Sequence, residues 1–307
     1  MQSQRNHISL TTRLELATPR NSNRHPAFSA FNLLLGLLIF LVCCTFADQS
    51  LAGSNLLVTP TRIMFEARDR TAQVTVVNSG DETGTYRIEL VNKRMTDAGT
   101  FENIEEPGEG DLFADKMLRY SPRQVVLEPG KSQIVRFSLR KPKGLADGEY
   151  RSHILFKAIP KDTGTNISSV TKSDKLSIKL TPIISISIPA IIRHGKTKAS
   201  VKFSSIEYIP PDNENKNPSL FMRLDREGNQ SVYGDLLAEY VQADGTSRIL
   251  GQANGLAVYT PNNTRTFRMP LNIPPDLDIR AGVVKVFYRD KPDKGSKVLA
   301  QTQLKVP

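Results

Sequence analysis

The chain has 307 residues, 39% of them hydrophobic and 23% charged, a globular composition that excludes a disordered or fibrous chain. Its length is enough for two domains, and a formal charge of +10 favours acidic partners or membrane surfaces. Only two cysteines are present, so no disulfide framework is expected.

Residues 1–27 are polar, with Arg5, Arg13, Arg20 and Arg24 against the single acid Glu15, and they run into the apolar block Leu33 to Phe46 (LLLGLLIFLVCCTF). Basic, then apolar, then small residues is the order of a secretory signal. Ser50 and Ala52 put the expected cleavage after Ala52, so residues 1–52 form the signal peptide and the mature chain starts at Gly53. A retained anchor is the other reading, although the strongly apolar stretch is shorter than the roughly 20 residues a span needs. Lipid attachment at Cys43 or Cys44 is disfavoured by the bulky Phe40, Leu41 and Val42 before them. Both cysteines lie in this block, so the exported part depends on its cores alone. Losing four basic and two acidic residues leaves that part at +8. It carries no aromatic-interleaved basic motif, so nucleic acid is not an expected partner, and no stable membrane insertion is expected after cleavage.

Beyond residue 53 no run of ten or more residues has apolar i, i+3, i+4 spacing between helix caps. Strand-like pieces are predicted at Leu56 to Phe65, Ala72 to Asn78, Thr85 to Lys93, Leu118 to Leu127, Ser132 to Leu139, Tyr150 to Ile159 and Leu176 to Ile192. Short strands at this spacing indicate an immunoglobulin-like sandwich. Between them, Thr96 to Lys116 is acidic, glycine-rich and aperiodic, which predicts a mobile loop or a hairpin that breaks the strand order. After an expected linker at Arg193 to Lys198 the pattern restarts. Ala199 to Tyr208, Leu220 to Arg226, Gly234 to Gln242, Leu256 to Tyr259, Arg265 to Leu271, Gly282 to Arg289 and Val298 to Val306 are the predicted strands, with Pro210 to Pro218 a loop. The expected fold class is all-β, with two immunoglobulin-like β-sandwich domains at 53–194 and 195–307.

Catalytic motifs are scarce. Past the signal there are two histidines, His153 and His194, no cysteine, and no HExxH or GxSxG spacing, which argues against an enzyme. His153, within EYRSHILF, is read as packed or paired in a sheet. Gly130-Lys131-Ser132 resembles the end of a phosphate loop, but the motif's first glycine would fall on Val125, and Pro129-Gly130 is a turn dipeptide. Asp162-Thr163-Gly164 occurs once, without a second acid to pair. A calcium loop from Asp212 fails at its twelfth position, Arg223, where a glutamate is needed. No cofactor and no metal are expected.

The last predicted strand of the first half is unusual. Along Lys175 to Ile192 (KLSIKLTPIISISIPAII) the even positions Leu176, Ile178, Leu180, Ile184, Ile186 and Ile188 are apolar, and the whole would extend about 60 Å. Such a row on an exposed edge is an aggregation hazard unless it serves a partner. A plain core strand is the alternative. Ile183-Ile184 next to Pro182 breaks the alternation and predicts a kink or bulge.

Four segments in order, TRIMFEARDRTAQVTVVNSGDETGTYRIEL (Thr61 to Leu90), YSPRQVVLEPGKSQIVRF (Tyr120 to Phe137), GEYRSHILFKAIP (Gly148 to Pro160) and this long strand, resemble the N-terminal domain of the periplasmic pilus-assembly chaperones, the PapD-like family. The resemblance covers about 55 to 195 and is most specific in LEPGKSQIVRF. It implies an L of two sandwiches, a periplasmic location, and donation of the long strand to pilin-like subunits that lack one, for delivery to an outer-membrane usher. Leu176, Ile178 and Leu180 match the donated positions, and Ile184 continues the row. Arg62 matches an arginine that holds the subunit's C-terminal carboxylate, a solvated strand arginine being the other reading. The lysine that assists it in the family falls on Ser185. The resemblance further implies that Glu149 forms a buried interdomain pair with an arginine. The ungapped position is Pro189, which leaves Arg193 as the candidate. The second half matches poorly and lacks the cysteine pair often found there, which marks a divergent, non-classical member. The competing expectation is an exported two-domain structural or adhesive surface protein, anchored by an uncleaved apolar segment.

Overall fold

The computed structural model describes residues 55–160, 184–213 and 215–306, all of which fall in one compact unit. The elements of the first half are Leu56–Thr59 (β1), Ile63–Phe65 (β2), Thr71–Asn78 (β3), Gly84–Val91 (β4), Lys93–Met95 (β5), Phe101–Asn103 (β6), Leu118–Ser121 (β7), Gln124–Leu127 (β8), Ser132–Leu139 (β9), Gly148–Ile159 (β10) and Ser185–His194 (β11). Of these, β1, β3, β8 and β9 bury alternate side chains, the signature of a half-buried strand, whereas β10 is buried along most of its length. One sheet has the order β1-β3-β9-β7 and the other β2-β11-β10-β4-β8. Their inner faces share a core that includes Phe65, Val74, Val76, Ile88, Val135, Phe137, Ile154, Phe156, Ile188 and Ile192.

The two sheets are linked by strands that change sheet at a proline. The predicted strand Leu56 to Phe65 breaks at Pro60 into β1 and β2, and Leu118 to Leu127 breaks at Pro122 into β7 and β8, with the halves of each in opposite sheets. Proline has no N–H to give to a ladder, so pairing ends there and the chain crosses. The turn between β8 and β9 is a plain one. Lys131 N donates to Glu128 O at 3.0 Å, and Gly130 takes φ +70°, which that corner of a Pro-Gly turn requires.

The second half contains Ala199–Ile209 (β12), Ser219–Gly228 (β13), Val232–Val241 (β14), Ser247–Val258 (β15), Thr264–Pro270 (β16), Val283–Asp290 (β17) and Val298–Leu304 (β18). Sheets β12-β13-β16 and β15-β14-β17-β18 enclose a core around Leu220, Met222, Leu224, Leu236, Tyr240, Val284, Val286 and Tyr288. Among the described residues the regular structure is therefore all-β apart from short 3-10 turns. The predicted strand Leu256 to Tyr259 is only the end of β15, whose earlier residues include Gly251, Asn254 and Gly255 and so hide the alternation.

One expectation needs correction, and one pair of alternatives is resolved. Arg193 and His194 are not linker residues, because β11 runs through His194, which pairs with Gly148. The turn to β12 is correspondingly short. The segment expected to be a mobile loop or a hairpin begins as the hairpin β5–β6. It continues through a stretch pinned by Arg94 Nε, which donates to Asp111 Oδ1 at 3.2 Å, and by Ser152 Oγ, which accepts from the N–H groups of Ala114 and Asp115 at 2.9 Å each.

Candidate functional site

Ladder pairing leaves part of β11 open. On one side it pairs with β10 from Ser185 opposite Lys157 to His194 opposite Gly148. On the other, β2 lies parallel to it only at Ala190, Ile191 and Ile192. Ser185 to Pro189 consequently have backbone groups on that edge with no strand beside them among the described residues. Ile186, Ile188, Ala190 and Ile192 turn toward the core, whereas Ile184, which precedes the strand, is 64% exposed. The part of this strand that closes its own sandwich therefore starts at Ile186, and Ile184 lies outside it. Leu176, Ile178 and Leu180 lie outside the described residues.

Ser185 faces away from the core, and Lys157, its directly opposed partner, shares that face. Arg87 is the next residue along this row, opposite Lys157 on β4. The face therefore carries cations beside the position that the resemblance gives to a lysine.

Toward the second sandwich the same sheet is tied by buried polar groups. Arg193 Nε donates to Glu149 Oε2 at 3.1 Å and Arg193 Nη1 to Glu66 Oε1 at 2.6 Å. Glu149, only 1% exposed, also accepts from Ser231 N at 3.1 Å and from the Ser231 hydroxyl, and Ser231 belongs to the segment just before β14. Arg193 Nη2 in turn donates to Ser231 O at 3.3 Å. Three donors thus satisfy a carboxylate that would otherwise be costly to bury. Nothing in the sequence singled out Ser231.

Arg62 is half-buried and stacks on the second sandwich, with its guanidinium carbon 3.8 Å from the Tyr233 ring centroid. Close by, Lys291 Nζ donates to Asp235 Oδ1 at 3.0 Å. A small apolar cluster of Met95, Ile191, Ala257 and Tyr259 packs between the sandwiches. Over it, Arg151 stacks at 4.6 Å on the Tyr259 ring and Nη2 donates to Thr260 O at 3.0 Å, while Nε and Nη1 have no partner. Burial pulls the Arg151 pKa down, with the nearby Tyr259 and Glu149 acting in the opposite direction.

Hairpin β5–β6 reaches the second sandwich as well. Thr266 N donates to Asp97 O at 2.7 Å, and Gly99, at φ +85°, lies so close to Arg265 that a Cβ there would stand 2.5 Å from Nη2. Phe101 packs edge-on against His153 at 4.9 Å between ring centroids. His153 is packed, as read from its sequence context, and its nitrogens make no hydrogen bond. Burial, reinforced by Arg151 and Lys93, pushes its pKa down to about 3, so the ring is neutral. Sequence reasoning missed this contact; its one trace is the Asp-Ala-Gly turn inside Thr96 to Thr100. No group of three metal-ligating side chains gathers among the described residues.

Residues 55–193 match the family described as pili and flagellar-assembly chaperone, PapD N-terminal domain. Among solved structures, the chain is similar to the class 5 fimbriae chaperone CfaA, at 16% identity over 82% of this chain and 100% of that one, with a TM-score of 0.40. It is also similar to the E. coli chaperone DraB, at 14% identity over 82% of this chain and 97% of that one, TM-score 0.38. A third is the periplasmic chaperone SfaE, at 13% identity, 82% and 100% coverage and TM-score 0.38. No curated protein matches the chain.

Proposed function

We propose that this PapD-like protein is a periplasmic chaperone that stabilises pilin-like subunits by lending them a β-strand and passes them to an outer-membrane usher. The observation that carries the reading is the open edge of β11 from Ser185 to Pro189, where a partner strand can add to the ladder. The apolar row Leu176, Ile178, Leu180 and Ile184 continues the parity of Ile186 and Ile188, so it supplies side chains to the partner's core as the latter pair supply this one. Each such side chain, fully buried, contributes about 1.5 to 3 kcal/mol. That is enough to hold a subunit without ATP or metal. Arg62 and Lys157 flank the same region and provide cations for a terminal carboxylate of the subunit. The interdomain pair Glu149 and Arg193 fixes the sheet that carries the edge against the second sandwich.

The test is co-purification from the periplasm with a co-expressed pilin-like subunit. Ile178→Asp and Leu180→Asp should leave the chaperone folded and abolish capture. Capture at the wild-type level by both variants overturns strand donation, and membrane retention of the unprocessed chain would favour the anchored surface protein instead.

A further inference from the structure

Between hairpin β5–β6, the outer face of β10–β11 and the end of β15 lies a cavity of about 260 Å³. Met95, Phe101, Pro189 and Tyr259 give it an apolar wall, and Lys93 and Arg265 are its charged groups; none of its lining residues is an acid. Arg265 spends one donor, Nη1, on Ala257 O, but Nε is buried without a partner. His153, 2% exposed, also lines the cavity and has neither ring nitrogen bonded. Buried donors are paired in the great majority of native sites, so orphans gathered at one cavity mark a place where a ligand completes the hydrogen bonding. Their sign selects that ligand. Two cations with no counter-ion in the lining call for an anion, and a guanidinium pairs best with a carboxylate. The aromatic wall calls for an apolar body. An apolar cavity of about 150 Å³ holds a benzene ring, so this one takes a ring or a branched side chain together with its carboxylate.

We infer that the cavity binds a monocarboxylate bearing a compact aromatic or branched apolar group, with Arg265 and Lys93 on the carboxylate and Phe101, Pro189 and Tyr259 on the body. Arg62 is not among the lining residues, since it stacks on Tyr233. The inference does not depend on strand donation. The carboxylate can come from a free acid or from the terminal residue of a chain, and the choice of probes separates the two.

Isothermal titration of the purified protein with 3-phenylpropanoate, its amide, N-acetylphenylalanine and N-acetylphenylalanine amide provides the test. At least one acid should bind saturably and its amide at least about tenfold more weakly, a difference of one charge-assisted contact. Binding of 3-phenylpropanoate assigns a free acid as the source, and binding of N-acetylphenylalanine alone assigns a chain end. Arg265→Gln should weaken the acid at least about tenfold, and Lys93→Gln, which alters only an exposed hydrogen bond from Lys93 Nζ to Asn103 Oδ1, should weaken it with the fold intact by circular dichroism. Absence of saturable binding by either acid, equal binding of acid and amide, or unchanged affinity in a folded Lys93→Gln protein would each overturn the inference.

Discussion

Arg193 and Glu149 are directly opposed across β11 and β10, with Arg193 Nε 3.1 Å from a carboxylate that is 1% exposed. Truncating one partner of such a pair strands the other as a buried charge, which costs about 3 to 5 kcal/mol. Arg193 keeps some solvent contact, so Arg193→Met should fall at the low end, about 3 kcal/mol by urea unfolding. Adding Glu149→Gln to that variant should recover part of the loss, because the stranded charge is gone. A loss below about 1 kcal/mol in the single variant would mean that Ser231 alone satisfies Glu149.

His153 gives the fold an acid-sensitive group. Burial lowers its pKa to about 3, against about 6.5 in an unfolded chain. Between those values the unfolded state binds the proton and the folded state does not, so stability falls as pH drops from about 6.5 toward 3. The slope is up to about 1.4 kcal/mol per pH unit. Because neither ring nitrogen is bonded, His153→Leu loses no hydrogen bond, and it should flatten the stability profile between pH 6.5 and 4.5 by on the order of 2 kcal/mol. Parallel profiles for the two proteins would show that another group carries the acid sensitivity.

Much of this architecture was legible because period-two burial is a property of the sequence itself. Core residues such as Val74, Val76, Val135 and Phe137 fall at alternate positions of predicted strands. Strand switching at Pro60 and Pro122 was not legible, since a proline says where pairing stops but not which sheet takes the next residue. The site divides the same way. Glu149 and Arg193 could be paired from the resemblance once the strand was taken past Pro189, whereas the partners of Glu149 at Ser231 lie 82 positions away and carry no local signal. The cluster of Lys93, His153 and Arg265 depends on a hairpin crossing to another sandwich, which no window of sequence can contain.

Gly99 tests that crossing. Its φ of +85° disfavours any side chain, and a Cβ would stand 2.5 Å from the Arg265 guanidinium, whereas Gly130, at φ +70°, has open space around it. Gly130→Ala therefore measures backbone strain alone, about 1 to 2 kcal/mol. Gly99→Ala should cost more and should also speed hydrogen exchange at the Thr266 amide, which Asp97 O accepts at 2.7 Å. Equal losses in the two variants, with Thr266 exchange unchanged, would mean that the hairpin tip is not held by Arg265.

Lys157 is the residue to examine for the charge expected at Ser185. The two are directly opposed in β10 and β11, and opposed residues in an antiparallel pair carry Cβ atoms about 5 Å apart on the same face, so a four-carbon ammonium on β10 covers the space above Ser185. Lys157 is exposed, so removing its charge should leave stability within about 0.5 kcal/mol. Capture of a subunit with a free C-terminal carboxylate should nevertheless weaken in Lys157→Gln, and further in Lys157→Glu, where attraction becomes repulsion. High salt should shrink the difference, because an exposed charge is screened over about 10 Å at 0.1 M ionic strength. Restoring the strand lysine as Ser185→Lys in the Lys157→Gln background should recover capture. If neither Lys157 variant changes capture while Arg62→Ala abolishes it, a single guanidinium holds the carboxylate and the row of cations on this face has no part in it.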